Sequence, residues 1–203
     1  MDGSTDSFDS TKDGAGVPPI AVVNFACRLP GGNNNPETLW RFLERGQTAP
    51  NTVPESRFAS RGHYNGSKRS RTMKGRGGMF LEQVLARFDA PFFNISTVEA
   101  RSWDPQQRQL LEVVYESLEN GGLTLDAVSG QQVGCFVSSF TVDYLAIKNR
   151  NPDAPPIQMT TGTKRSILSN RISHYFNLKG PIQTSVPHPS HANFAHKSKS
   201  GWK

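Results

Sequence analysis

Cysteine is scarce in this chain of 203 residues, which contains two, Cys27 and Cys135. Two isolated cysteines exclude a disulfide framework, and neither has a neighbour at the spacing of a metal-binding pair. Long apolar runs are also missing: no segment approaches the roughly 20 apolar residues that span a bilayer, and the first residues are acidic, unlike a secretory signal. We therefore expect a cytoplasmic protein that neither spans a membrane nor is secreted.

The short motifs of common enzyme chemistry are missing as well. The sequence has no G-x-S-x-G nucleophile elbow, no G-x-G-x-x-G or G-x-x-x-x-G-K-[ST] phosphate loop, and no H-E-x-x-H zinc helix. Cys27 and Cys135 lie in apolar runs with no partner base indicated, which is typical of packing residues. We predict no catalytic, cofactor-binding or metal-binding residue in the chain.

The five histidines do not form a predicted metal site. His188, His191 and His196 cluster near the end of the chain, but no Cys, Asp or Glu accompanies them, and no predicted element fixes their geometry. The interpretation is a disordered tail, with adventitious metal binding as the alternative. His174 lies on a predicted helix, where a surface or packing role is more common than that of a base.

The net charge of +6 is concentrated in one segment. Residues 57–76 contain seven Lys and Arg and no acidic residue, and the Gly, Asn and Ser among them are typical of a solvated loop. The alternative is a phosphate-binding patch for nucleic acid, but bare basic runs are frequent false positives for that function. We expect a surface loop and no nucleic-acid partner.

The first elements of the fold can be predicted from local signals. Residues 1–19 are rich in Ser, Thr, Asp and Gly, which predicts a disordered leader. Residues 20–27 form a nearly continuous apolar run, the pattern of a strand buried on both faces of an α/β sheet. Asn35 and Pro36 then predict the start of a helix that Gly46 ends.

The clearest predicted helix begins after Asp104, which is placed to accept the free amides of the first turn. Pro105 suits the first helical position, and Gln107 would complete a capping box. Apolar residues between 110 and 118 form one broad face, and Gly121 and Gly122 predict a left-handed end. Further along, residues 133–137 predict a buried strand and residues 167–176 an amphipathic helix.

Six segments in a fixed order resemble the N-terminal part of the ketosynthase domain of a type I polyketide synthase, especially the iterative, highly reducing fungal enzymes. The similarity covers residues 20–184. The segments are residues 20–32, 76–81, 88–96, Asp104-Pro-Gln-Gln-Arg108, 110–114, and 167–173 with the following Gly180-Pro181.

This resemblance implies an α/β, thiolase-like fold, of which the chain would hold the N-terminal half only, with disordered termini. Members of the family work as homodimers. They pass an acyl group to a cysteine at a helix start and condense it with a malonyl unit carried by the phosphopantetheine of an acyl carrier protein, and two histidines further along the domain assist. No cofactor is expected in this chain itself.

The chain departs from the family pattern where the nucleophile is expected. After Gly180-Pro181 the family continues through a strand into Asp-Thr-Ala-Cys-Ser-Ser, which would place the cysteine near Pro189. Here residues 187–191 read Pro-His-Pro-Ser-His, and alternate prolines cannot continue a central strand. A smaller departure is Asn24-Phe25, where the family usually has Gly-Met. The tail, residues 185–203, is therefore predicted to be non-homologous, as after a frame change or an unspliced intron.

Three functions remain open on these residues, and the weakest of them is the nucleic-acid binder that would use residues 57–76. The first is a truncated ketosynthase, residues 20–184, that is inactive alone and associates as a homodimer or with an intact synthase. The second is a non-catalytic interaction module that binds an intact synthase.

Overall fold

The structure, a computed structural model, describes residues 19–58, 77–141, 143–150 and 159–186. Most of the predicted leader, the basic segment and the predicted tail therefore lie outside the described residues. Across the described ranges, none of the helices has the length and apolar character needed to cross a membrane. The elements in chain order are α1 (Pro36–Glu44), β1 (Asn51–Thr52), β2 (Gly77–Gly78), α2 (Thr97–Ser102), α3 (Pro105–Asn120), α4 (Leu125–Val128), β3 (Cys135–Ser138), α5 (Asp143–Lys148), α6 (Met159–Thr163), α7 (Ile167–Tyr175) and β4 (Ile182–Ser185).

Helix α1 begins as its sequence predicts. The side chain of Asn35 accepts a hydrogen bond from the Thr38 amide at 2.9 Å, and the Thr38 hydroxyl accepts one from the Asn35 amide at 3.4 Å. This capping box satisfies amides that have no partner within the helix. The apolar side of α1 is only partly covered by the described residues: Leu39 and Phe42 are half-buried, whereas Trp40 is 69% exposed.

Helix α3 also begins at the predicted residue, but the predicted capping box with Gln107 does not form. Asp104 accepts from the Gln106 amide at 2.8 Å, and Gly122 ends the helix with a left-handed φ of 67°. Gln107 does not turn back to the cap. Its side-chain amide donates to the carbonyl of Thr161 at 3.0 Å, because a buried amide takes the tertiary partner that packing brings to it.

Strands β3 and β4 pair in parallel, with Cys135 opposite Ile182 and Ser138 opposite Ser185. A parallel pair needs a long crossover connection, and helices α5 to α7 supply it. The remaining strands, β1 and β2, form a short antiparallel pair.

The buried core lies where α7 packs against α3 on one side and against β3 and β4 on the other. Leu111 from α3 and Ile172 from α7 are 1% and 3% exposed, and Phe93 joins them from the loop before α2. The Phe93 ring stacks on Phe88 with ring centroids 5.2 Å apart. Apolar burial at this junction is the main stabilising contribution that the described residues provide.

Two strand predictions need correction. Residues 20–27 are not a strand, and their apolar side chains are exposed, with Ile20 at 88% and Val22 at 86%. This segment meets α3 through side chains instead: Asn24 donates to the Ser117 carbonyl and Arg28 pairs with Glu116. A strand needs a neighbouring backbone to bond with, and none of the described residues offers one here. The predicted strand 133–137 forms as Cys135–Ser138, and only one of its faces is buried.

Candidate functional site

The carboxyl ends of β3 and β4 meet at one edge, formed by Ser138, Ser139 and Ser185, which we call the carboxyl edge. The Ser139 amide donates to the Ser185 carbonyl at 3.0 Å, so the pairing extends one residue past β3. The hydroxyl of Ser185 donates to that of Ser138 at 3.4 Å. In α/β proteins, ligands bind beyond this end of parallel strands, which makes the carboxyl edge the candidate functional site.

Polar side chains from α3 support the carboxyl edge. The Ser139 hydroxyl donates to Gln106 Oε1 at 2.8 Å, and Gln106 Nε2 lies 3.4 Å from Asp104 Oδ2. Asp104 and Ser139 are both buried. Burial raises the pKa of the Asp104 carboxyl, and the hydrogen bond from the backbone amide of Gln106 opposes that rise.

A second polar contact, from α7, fixes β4. The hydroxyls of Ser169 on α7 and Thr184 on β4 lie 2.6 Å apart, and Ser169 is 1% exposed. Hydroxyl groups in the interior need such partners, since an unpaired one costs free energy comparable to a lost hydrogen bond. The residue before the end of β4 is therefore held by α7.

Arg171 of α7 lies flat on the indole of Trp103, with its guanidinium carbon 3.4 Å from the ring centroid. Its Nε donates to Gln107 Oε1 at 2.9 Å, and its Nη1 lies 3.5 Å from Glu99 Oε1. Burial lowers the pKa of Arg171, an effect that the Glu99 carboxylate opposes. This arrangement joins α7 to α3 and α2, and none of its side chains is a nucleophile.

An apolar groove of about 370 Å³ lies beside β3, between α3 and α7. Its wall includes Phe136, which is 68% exposed. The described residues contain no group of three or more metal-ligating side chains, in this groove or elsewhere. Other residues that line the groove include Leu110, Val114, Cys135, Val137, Ile172 and Phe176.

Comparison with known proteins assigns the chain to a family. The sequence profile of the family described as "Beta-ketoacyl synthase, N-terminal domain" matches residues 18–188. The chain belongs to this family. The resemblance seen in the sequence motifs is thereby confirmed.

Fungal polyketide synthases are the relatives of this ketosynthase-family chain. The low-reducing polyketide synthase drtA of Aspergillus calidoustus is 72% identical over 185 residues, which cover 91% of this chain and 8% of that synthase. The highly reducing polyketide synthase claI of Penicillium crustosum is 55% identical over 169 residues, 83% of this chain and 7% of that synthase. The chain thus spans less than a tenth of the length of these relatives.

Solved ketosynthase domains share the fold. The oxazolomycin ketosynthase domain OzmH KS7 of Streptomyces albus JA3453 matches with a TM-score of 0.71 and 28% identity, over 81% of this chain and 28% of that one. The module 6 ketosynthase of the bacillaene synthase from Bacillus subtilis 168 matches with a TM-score of 0.70 and 26% identity, over 82% and 26% of the two chains. The prediction of an α/β, thiolase-like fold is confirmed.

The two thiols of this ketosynthase-family chain lie on different segments, and neither belongs to the residues of the carboxyl edge. Cys135 is the buried first residue of β3, and Cys27 lies in the segment before α1, with its sulfur 3.6 Å from the Asn33 carbonyl. Burial raises the pKa of both thiols. A raised pKa means little thiolate near neutral pH, which does not favour either thiol as a nucleophile.

Alkylation by iodoacetamide tests this description of the thiols. We expect both to react slowly at pH 7 in the folded chain and faster as the pH rises past the usual thiol pKa, because only the thiolate reacts. The Cys27→Ser and Cys135→Ser variants assign each rate to one thiol, and the urea-unfolded chain gives the reference rate. A thiol that reaches its full rate near neutral pH would contradict the description.

The other residues considered in the sequence are dispersed. His174 lies on α7 as predicted, with its side chain exposed. Arg57, the first residue of the basic segment, donates to the carbonyls of Leu81 and Gln83 at 3.1 and 3.3 Å, which is a structural role. The rest of that segment, apart from Phe58, and the three C-terminal histidines lie outside the described residues.

Sequence reasoning missed the supports of the carboxyl edge. Gln106 and Arg171 both lie in segments that resemble the family, yet nothing in their local pattern marked them as partners of Ser139 and Trp103. The polar run after Asp104 could have indicated these partners, because a polar residue in the first turn of a core helix needs a tertiary hydrogen-bond partner.

Proposed function

We propose that residues 20–184 supply the N-terminal half of a ketosynthase that joins an acyl chain to a malonyl unit with loss of carbon dioxide. The acyl chain would be held by a cysteine, and the malonyl unit by the phosphopantetheine of an acyl carrier protein. We further propose that the 203-residue chain is inactive on its own, because no cysteine follows β4 in its sequence.

The observation that most supports this proposal is the placement of the carboxyl edge. Strand β4 ends at Ser185, and the family resemblance puts the nucleophilic cysteine a few residues later, at a helix start where backbone dipoles would stabilise a thiolate. Here the sequence has Pro187 and Pro189 instead. The chain would therefore supply the paired strands β3 and β4 but not the cysteine that forms the covalent acyl bond.

The partners of this activity are also part of the proposal. The relatives are far longer synthases, so the partners we propose are a second ketosynthase copy, an intact synthase and an acyl carrier protein. The boundaries 20–184, the non-homologous character of 185–203 and the cytoplasmic location remain predictions of the sequence.

A segment exchange tests the proposal. Residues 20–184 of this chain replace the matching segment of the drtA synthase, and polyketide formation by this exchanged synthase is compared with that of the parent. We expect at least about a tenth of the parental turnover, since tenfold corresponds to only about 1.4 kcal/mol of barrier. The 203-residue chain alone, in a malonyl-dependent condensation assay, is expected to give no product above the blank.

The control for the exchange is the same synthase with the nucleophilic cysteine of its own remaining segment changed to alanine, which should be inactive. Turnover by the 203-residue chain alone would contradict the proposed inactivity. An exchanged synthase that elutes like the parent but makes no product would contradict the proposed ketosynthase role.

The second candidate, a non-catalytic interaction module, is favoured by the exposed apolar surface. Val22 is 86% exposed, Phe136 68% and Ile182 46%, and exposed apolar side chains of this size are ones that a partner protein could cover. A folded but inactive exchanged synthase would favour this candidate over the first.

A further inference from the structure

Three side chains connect the start of α3 to the carboxyl edge in one hydrogen-bonded series, which we call the relay: Asp104, Gln106 and Ser139. Gln106 Nε2 lies 3.4 Å from Asp104 Oδ2, and Gln106 Oε1 accepts from the Ser139 hydroxyl at 2.8 Å. Both ends of the relay are 6% exposed. Water therefore has little access to the groups that the relay joins.

The chemistry of the three groups fixes the direction of the relay. A carboxylate only accepts hydrogen bonds, so the amide nitrogen of Gln106 faces Asp104 and its oxygen faces Ser139. The Ser139 hydroxyl must then donate to Gln106. The charged groups that act on Asp104 are Arg108 on the same helix and Asp143 at the start of α5.

The relay ends at the point where β4 ends. The Ser139 backbone amide donates to the Ser185 carbonyl at 3.0 Å, so the position of Ser139 determines where the last residue of β4 lies. Burying polar groups costs free energy that an apolar contact would avoid. The hydrogen bonds of the relay, however, have defined directions, and they therefore fix the relative positions of α3 and Ser139.

We propose that Gln106 and Ser139 are positioning residues that hold the carboxyl edge where the segment following β4 enters the ketosynthase active site. This inference rests on the proposed function. The two residues act through the backbone of β4 and do not touch the reacting atoms.

Substitution of Ser139 in the exchanged synthase tests the positioning role. Ser139→Ala removes the donor to Gln106, and we expect kcat to fall by roughly tenfold with the KM for the malonyl donor unchanged, because positioning acts on the chemical step. Ser139→Thr keeps the hydroxyl and should restore most of kcat. Unchanged kcat in Ser139→Ala, or no recovery in Ser139→Thr, would overturn the inference.

Gln106→Glu gives a readout that a purely structural role would not produce. It sets a second carboxyl group against Asp104, and two adjacent carboxylates take up a shared proton as the pH falls. We expect kcat to be low at neutral pH and to recover toward acid. Gln109→Glu makes the same charge change on α3 outside the relay and should keep the unsubstituted pH profile. Identical profiles for the two variants would overturn the inference.

Failure of the proposed function can be distinguished from failure of the relay. If the unsubstituted exchanged synthase is inactive, the ketosynthase proposal fails, and amide hydrogen exchange at Ser139 in the 203-residue chain still decides whether the relay holds the carboxyl edge in place. Gln106→Ala should speed that exchange roughly tenfold relative to Gln109→Ala, since the Ser139–Ser185 bond loses its support. Equal exchange rates would overturn it.

Discussion

Trp103→Ala is expected to destabilise the described region by about 3–5 kcal/mol, the range for removing a buried aromatic side chain. Trp103 is 1% exposed; its ring contacts the guanidinium of Arg171, and the centroid of the Phe88 ring lies 6.3 Å from its own. The substitution leaves a large cavity and removes the aromatic face that accompanies the half-buried Arg171 cation. Because native domains are stabilised by only about 5–15 kcal/mol, this loss is a large fraction of the total free energy of unfolding.

Urea unfolding followed by far-UV circular dichroism measures this effect. Trp40→Ala is the matched control, because Trp40 is 69% exposed on α1 and its loss should change the free energy of unfolding by no more than about 0.5 kcal/mol. Equal unfolding midpoints for the two variants would show that Trp103 is not buried as described.

Leu111→Ala is expected to cost about 3–5 kcal/mol of unfolding free energy, through lost burial and the cavity that remains. Leu111 is 1% exposed and packs in the cluster that includes Ile172 and Phe176 of the α7 region. These residues hold α7 against α3, so the effect should extend to the Ser169–Thr184 contact that α7 makes with β4.

Leu43→Ala provides the same chemical change at a position that is 62% exposed on α1. It should lower the free energy of unfolding by far less than Leu111→Ala in the same urea titration. A larger effect at Leu43 than at Leu111 would mean that the buried side of α3 is not the one described.

The helix starts could be predicted from the sequence because caps are local. Asn35 and Asp104 bond to amides two or three residues away, so the residues that decide the structure are adjacent in the sequence. The strand predicted over residues 20–27 is wrong for the opposite reason. A strand depends on a backbone partner far along the chain, and an apolar run does not say whether that partner is in place.

The supports of the candidate site were harder to predict. Ser139 and Gln106 are 33 residues apart, and their hydrogen bond depends on how α3 packs beside β3. Hydrophobic periodicity places the apolar face of α3 but gives no information on which polar side chain its first turn will meet. The family resemblance, by contrast, followed from the order of several motifs and needed no packing information.

The central proposal is that residues 20–184 can serve as the N-terminal half of a ketosynthase whose nucleophile and catalytic histidines lie beyond β4. The most direct measurement is polyketide turnover by the drtA synthase carrying these residues, beside the 203-residue chain assayed alone. The account predicts product from the exchanged synthase and none from the chain alone. A folded exchanged synthase without product, or product from the chain alone, would contradict it.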